Sequence, residues 1–296
     1  MKKFALLLAG GLVGLAPAAA QTMDYAKTTE AVVNLGHGLY AIIATNPDPS
    51  SGIGDTTVAV GTDGLIVVDS QFDQLHAMLK AKIAGLSPLP VKYVINTHFH
   101  GDHSGGNAAF AKEGAVIMAH ENVQKRLAAA KNTPKEAVPT QTYAGQGTEI
   151  KVGGQKAELM HVPNAHTDGD TVVIWPDADV ISTGDIVHKP GYPNIDNASG
   201  GGIDGMIAAT DFLIAHADAR TKIVPGHGDV TDKAGLVQYR NMLKTARDRI
   251  AQAKAKGMSE DQVTKADLLA DLDKYWKIPG NGASERFPIN VYRGLK

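Results

Sequence analysis

A mixed α/β fold is predicted for this chain by three observations. Apolar runs of strand length alternate with stretches of helical period between Thr56 and Val224. The second half of that span repeats the order of the first. The run Thr97-His98-Phe99-His100-Gly101-Asp102-His103 stands directly after the apolar segment 91–96, at the point where a buried strand of such a sheet ends.

The elements follow in order. Residues 35–44 alternate and lead into the turn-rich loop 46–52; Thr56–Val60 and 64–69 continue what reads as an opening β-meander. Phe72, Leu75, Met78, Leu79, Ile83 and Leu86 recur at helical spacing, and Pro88 and Pro90 close that helix before a strand at 91–96. Gly105-Gly106-Asn107 opens a second helix, 115–119 is a strand and 121–131 a helix. Further strands are predicted at 157–162, 170–175, Val180–Ser182 and Lys222–Val224, with a helix at 204–216. Beyond Gly228 the chain turns helical: Leu236, Tyr239, Leu243 and Ile250 share a stripe, and Ser259 with Gln262 forms a capping box. Gly200-Gly201-Gly202 predicts a mobile loop near the site.

Composition narrows the function. A chain of 296 residues, 43% hydrophobic, can bury one large core or two modest ones; one domain at 21–296, ending in helices from about 233, is the simpler expectation. Net charge is −2 with both signs scattered, so no basic surface for nucleic acid or anionic membrane is expected and the partner is a small-molecule substrate. No oligomeric state can be read. Cysteine is absent, which leaves no disulfide and no thiolate nucleophile; any metal must be held by nitrogen and oxygen. Lys2-Lys3, the apolar run 4–15 and Ala18-Ala19-Ala20 have the order of a secretory signal peptide. Residues 1–20 are therefore expected to be removed, leaving a periplasmic or secreted protein with no membrane anchor. An apolar run of this length is short for a bilayer core of roughly 30 Å.

Three imidazoles and a carboxylate within six residues suit zinc, iron or manganese at a hydrolytic centre. A shuffled chain of this composition would hold an H-x-H-x-D-H pattern only about once in a thousand, which favours metal over coincidence. Three further signals each follow a predicted strand: His166 in Ala165-His166-Thr167-Asp168-Gly169-Asp170, Asp185 in Thr183-Gly184-Asp185, and His227 in Pro225-Gly226-His227-Gly228.

This ordered set resembles the metallo-β-lactamase fold superfamily, from about Leu35 to Gly228. The resemblance implies a four-layer αββα sandwich with two metals at one edge. It implies that His98, His100 and His166 hold the first metal, that Asp102, His103 and His227 hold the second, and that Asp185 bridges them. Two zinc ions per chain are expected, with iron or manganese as other occupants, and a bridging hydroxide as nucleophile. Asp102 is also expected to steer the nucleophile's proton. Asp69, at the end of a strand, is either a partner that orients a ligand imidazole or a plain strand terminus. His37, His76, His120, His161 and His216 read as structural, and His188 is left open.

Within the superfamily, the segments around His166 and His227 are similar to those of metallo-β-lactamases. The cysteine-bearing subclass of those enzymes has a thiolate where Asp185 stands and a substrate-gripping lysine where His188 stands. Lys189, one position on, and Asn194 are the candidate substrate-binding residues. An aspartate bridge is the arrangement of superfamily lactonases, glyoxalase-type thioester hydrolases and related esterases. The expectation is a zinc-dependent hydrolase opening β-lactam-type cyclic amides, with a lactone, thioester or other ester as the alternative. An iron-dependent sulfur or oxygen redox enzyme of the same fold is a second alternative.

Overall fold

A computed structural model describes residues 23–295. The leader read at 1–20 lies outside them. Among the described residues no helix is long and apolar enough to cross a membrane.

Seven strands form the first sheet in chain order: β1 (Thr29–Gly36), β2 (Leu39–Thr45), β3 (Thr56–Val60), β4 (Leu65–Val68), β5 (Val91–Ile95), β6 (Val116–His120) and β7 (Gln141–Tyr143). Pairing is antiparallel from β1 to β4 and parallel from β4 to β7. Parallel neighbours need a crossover, and the helices provide it: α1 (His76–Leu86), then α2 (Gly101–Ser104) with α3 (Asn107–Lys112), then α4 (Glu121–Ala129).

The second sheet holds β8 (Gly147–Val152), β9 (Gln155–His161), β10 (Thr171–Trp175), β11 (Val180–Ser182) and β13 (Lys222–Val224) in the order β13-β11-β10-β9-β8. A parallel pair, β12 (His188–Lys189) and β14 (His227–Gly228), stands apart. Helices α5 (Ile203–His216), α6 (Lys233–Ala255), α7 (Glu260–Lys265), α8 (Ala270–Trp276) and α9 (Gly282–Gly294) complete the chain.

Strand alternation sorts the apolar residues into layers. On β4, Leu65 and Val67 face Leu79, Ile83 and Phe110 of α1 and α3, whereas Ile66 and Val68 join the core between the sheets. On β10 and β11, Val173 and Val180 meet that same core, and Val172 and Ile181 turn out to α5 and α6. Apolar burial on both faces of each sheet yields the expected αββα layers.

One local expectation changes. The run 35–44 is not one strand: Gly36, His37 and Gly38 all have positive φ, so the chain reverses there into the β1–β2 hairpin. Two further strands were not expected: β7 is only three residues long, and β8 alternates only over its second half, with Ile150 and Val152 buried between exposed neighbours.

Candidate metal centre

The residues of the set stand in the loops beyond the strands. His98 and His100 follow β5, and the single turn α2 carries Asp102 and His103. His166 lies between β9 and β10, Asp185 follows β11, and His227 begins β14 after β13. These loops share one edge of the sandwich, so side chains far apart in sequence converge. Donor atoms of His98, His100, His166 and Asp185 lie within 4.8 Å of one another, as do those of Asp102, His103 and His227.

Asp185 stands between the two groups. Its Oδ1 is 3.0 Å from His103 Nε2 and 3.1 Å from His227 Nε2, while its Oδ2 is 3.5 Å from His166 Nε2 and 3.9 Å from His98 Nε2. Asp102 Oδ2 is 3.2 Å from the Nε2 atoms of both His103 and His227.

The far side of four imidazoles is tied down. His103 Nδ1 donates to Asp69 at 2.7 Å, His166 Nδ1 to the Asn194 carbonyl at 2.8 Å, and His227 Nδ1 to the Ile53 carbonyl at 2.8 Å. His100 is turned the other way, its Nε2 donating to Asp196 at 3.0 Å. A neutral imidazole has one N–H, so each ring, once that proton is engaged, presents a lone pair to the centre. His100 Nδ1 and His166 Nε2 thus face each other at 2.9 Å, two acceptors with no proton between them. His98 Nε2 and Asp185 Oδ1 are buried without a hydrogen-bond partner. Orphaned polar atoms of this kind are costly unless something satisfies them. The donor set fits a pair of nitrogen- and oxygen-seeking cations.

Electrostatics divides the set in the same way. Burial pushes His166 down to about 4, with Asp185 opposing, and burial followed by the neighbouring His103 pushes His98 well below its ordinary value. Those rings are neutral donors. At the other group burial also resists charge, but Asp185 and Asp102 overcome it and lift His227 to about 10; His103 is raised well above its ordinary value by the same carboxylates with Asp69. A cation there takes the place of protons.

Local sequence explains the loop shapes. Asp69, at φ 64°, turns its carboxylate under the 96–103 loop and accepts from the Thr97 N–H and hydroxyl as well as from His103. Of its two sequence-level roles, the first matches these contacts. Asp170 Oδ2 accepts from the N–H groups of His166 and Thr167 at 2.7 and 2.8 Å, fixing that loop. Gly226 is required by contact: a Cβ there would lie 2.2 Å from Asp185 Oδ1.

Other sequence-level expectations come out differently. Lys189 does not reach the centre. On the two-residue strand β12, side chains alternate, so His188 faces the cavity and Lys189 turns away to donate to Thr231 Oγ1 at 2.7 Å. Asn194 does line the cavity, and its carbonyl also holds His166. His188, left open by the sequence, lies with its Nε2 3.8 Å from Asp185 Oδ2 and its ring against His227. The Gly200–202 segment is pinned: the N–H groups of Gly201 and Gly202 donate to the carbonyls of Asp196 and Ala165. Its glycines permit close approach, since a Cβ on Gly201 would lie 2.1 Å from the His166 carbonyl oxygen. His120 and His161 stack on each other, ring centroids 3.7 Å apart, and neither lines this cavity.

Two residues escaped sequence reasoning. Asp196 belongs to no motif, and its role is fixed only by the fold that sets it beside His100. Arg286 of α9 lines the same cavity, of about 350 Å³, from a helix that carries none of the seven donors.

Comparison with known proteins places these features. The profile described as the Metallo-beta-lactamase superfamily matches residues 50–232. The metallo-beta-lactamase type 2 of Bacillus sp. (strain 170) is 29% identical over 199 residues, covering 66% of this chain and 73% of that protein. The hydroxyacylglutathione hydrolase of Anaeromyxobacter dehalogenans (strain 2CP-C) is 30% identical over 173 residues, covering 57% and 59%. Among solved structures, a metallo-beta-lactamase from Pontibacter korlensis superposes with a TM-score of 0.61 at 19% identity, covering 73% of this chain and 99% of its own, which is a likeness of fold.

Proposed function

We propose a specific activity for a chain that belongs to the metallo-beta-lactamase superfamily and is a metal-dependent hydrolase: opening of β-lactam-type cyclic amides at a dinuclear zinc centre. The observation that carries the dinuclear reading is Asp185, with one carboxylate oxygen toward His103 and His227 and the other toward His98 and His166. His98, His100 and His166 would hold one ion and Asp102, His103 and His227 the other, with Asp185 shared. Bound there, the ions supply Lewis acidity and bring the pKa of water down to about 7.

The chain's own residues set the geometry. Asp69, Asp196, Asn194 and Ile53 fix the imidazoles, so little reorganisation is needed when charge develops. Burial works against ionisation of Asp102, yet His103 and His227 hold its carboxyl well below the usual range. Ionised, Asp102 accepts the proton of the attacking water and returns one to the departing nitrogen: the water oxygen bonds to the carbonyl carbon as the C–N bond breaks.

The β-lactam assignment is supported by the likeness to the Bacillus type 2 enzyme over two thirds of the chain. A second reading, a thioester, lactone or other ester, is supported by Asp185 in place of a thiolate and by the likeness to hydroxyacylglutathione hydrolase. Export rests on the order of Lys2-Lys3, the apolar run and the alanines, and fractionation of a producing cell tests it. The substrate test is a panel offered to zinc-loaded protein: a chromogenic cephalosporin, a carbapenem, an acyl-lactone and a glutathione thioester. The first reading requires turnover of a β-lactam. No turnover of either β-lactam, with turnover of the thioester or lactone, replaces it by the second.

A further inference from the structure

The chain has seven arginines, and six of them are matched to carboxylates. Arg126 pairs with Asp168, Arg220 with Asp218, Arg240 with Asp211, Arg247 with Asp204 and Asp248, Arg249 with Asp271, and Arg293 with Glu260. Arg286 is the exception: among the described residues it has neither an ion pair nor a hydrogen bond. It is also the arginine that lines the cavity over the donor set.

Its placement is specific. Asn281 caps α9 by accepting from the Ser284 N–H, and Asn281 Nδ2 donates to the Pro49 carbonyl, so the start of the helix is moored to the loop whose Ser50 and Gly52 line the same cavity. Arg286 thereby lines the cavity together with His188, Asn194 and Asp185. Apart from the histidines, it is the one cationic side chain in that lining. A guanidinium offers a planar fork of donors that matches a carboxylate two bonds at a time. The carboxylates in that lining, Asp102 and Asp185, belong to the donor set; Ser50, Asn194 and Asn281 are neutral.

We propose that Arg286 is the anchor for a substrate carboxylate, so that the enzyme selects molecules carrying a carboxylate beside the carbonyl that is attacked. This deepens the hydrolase reading and rests on it. Bicyclic β-lactam acids have that arrangement; simple acyl-lactones do not. The guanidinium holds the carboxylate at one end while the carbonyl is presented to the donor set at the other, so anchoring adds orientation as well as affinity.

The experiment compares acid and ester forms of one molecule in wild type, Arg286→Gln and Arg286→Lys, each zinc-loaded and matched for metal content and melting temperature. A cephalosporin as free acid and as methyl ester gives kcat/KM; 3-mercaptopropionate and its methyl ester give Kd by calorimetry, independently of turnover. In wild type the acid should lead the ester by about tenfold, a factor equal to about 1.4 kcal/mol. That ratio should fall to near one in Arg286→Gln and be partly kept in Arg286→Lys. If neither β-lactam turns over but Arg286→Gln still loses the acid preference in binding, the anchor stands and the β-lactam reading falls. Equal handling of acid and ester by wild type, or an acid preference that survives in Arg286→Gln, overturns the anchor.

Discussion

Asp69 holds His103 and Thr97 in one grip: its Oδ2 accepts from His103 Nδ1 and from the Thr97 hydroxyl, each at 2.7 Å, while its Oδ1 accepts from the Thr97 N–H at 2.7 Å. The residue that aims one imidazole therefore also sets the start of the loop that carries His98 and His100. Partners of this kind are worth about 10–100-fold in metal affinity. Asp69→Ala should lose zinc affinity by about that factor in competition with a chromophoric chelator, and unchanged affinity in a folded variant would remove Asp69 from the centre.

Asp185→Ala and His98→Ala test the shared carboxylate and the orphaned nitrogen. Elemental analysis should find close to two metals per chain in the wild type, on the dinuclear reading, and at least one fewer in each variant. Asp185→Ala should be the more damaging, because it faces both groups. Retention of both metals in Asp185→Ala contradicts the bridging role.

Gly201→Ala places a Cβ 2.1 Å from the His166 carbonyl oxygen, with backbone atoms on the crowded side, so no rotamer change relieves it. Overpacking of this kind costs about 1–3 kcal/mol, and the strain falls on the loop that holds His166. Lower melting temperature and lower metal content should appear together. Gly85→Ala is the contrast: nothing lies within 4 Å of its added Cβ, and it sits inside α1. It should raise stability, by up to about 1 kcal/mol, through helix propensity.

Glu30 gives a pH prediction away from the metal. It is 7% exposed and both carboxylate oxygens lack a partner. Burial lifts its carboxyl from 4.5 to about 7, with Lys82 and Gln71 opposing. Between those two values the folded chain keeps a proton that the unfolded chain has released, so stability falls as pH rises across the window. Below 4.5 the penalty is absent; above 7 it is complete. Glu30→Gln should be more stable than wild type at pH 8, by about 1–2 kcal/mol after allowing for solvent screening. The advantage should vanish by pH 4.5. Denaturant unfolding at the two pH values measures it, and a constant difference between the proteins rules it out.

The cluster at 98–103 was legible because its donors are neighbours in sequence, and His166, Asp185 and His227 were legible because they recur in order after strand-like runs. The layers followed from alternation, as at Leu65 to Val68. Asp196 and Arg286 were not legible: each acts on a partner chosen by folding, and neither sits in a local pattern. Lys189 misled because one step along a strand reverses a side chain's direction. Gly200–202 misled because glycine serves both freedom and tight contact, and only the position of the His166 carbonyl distinguishes them.

The wall supplied by α9 lies outside the stretch, residues 50–232, that matches the superfamily. The part of the cavity lining that α9 supplies is thus encoded apart from the stretch that carries the seven donors. On the anchor proposal, selection acting on the N-terminal half of that helix would redirect the enzyme toward a new compound while the seven donors stay untouched.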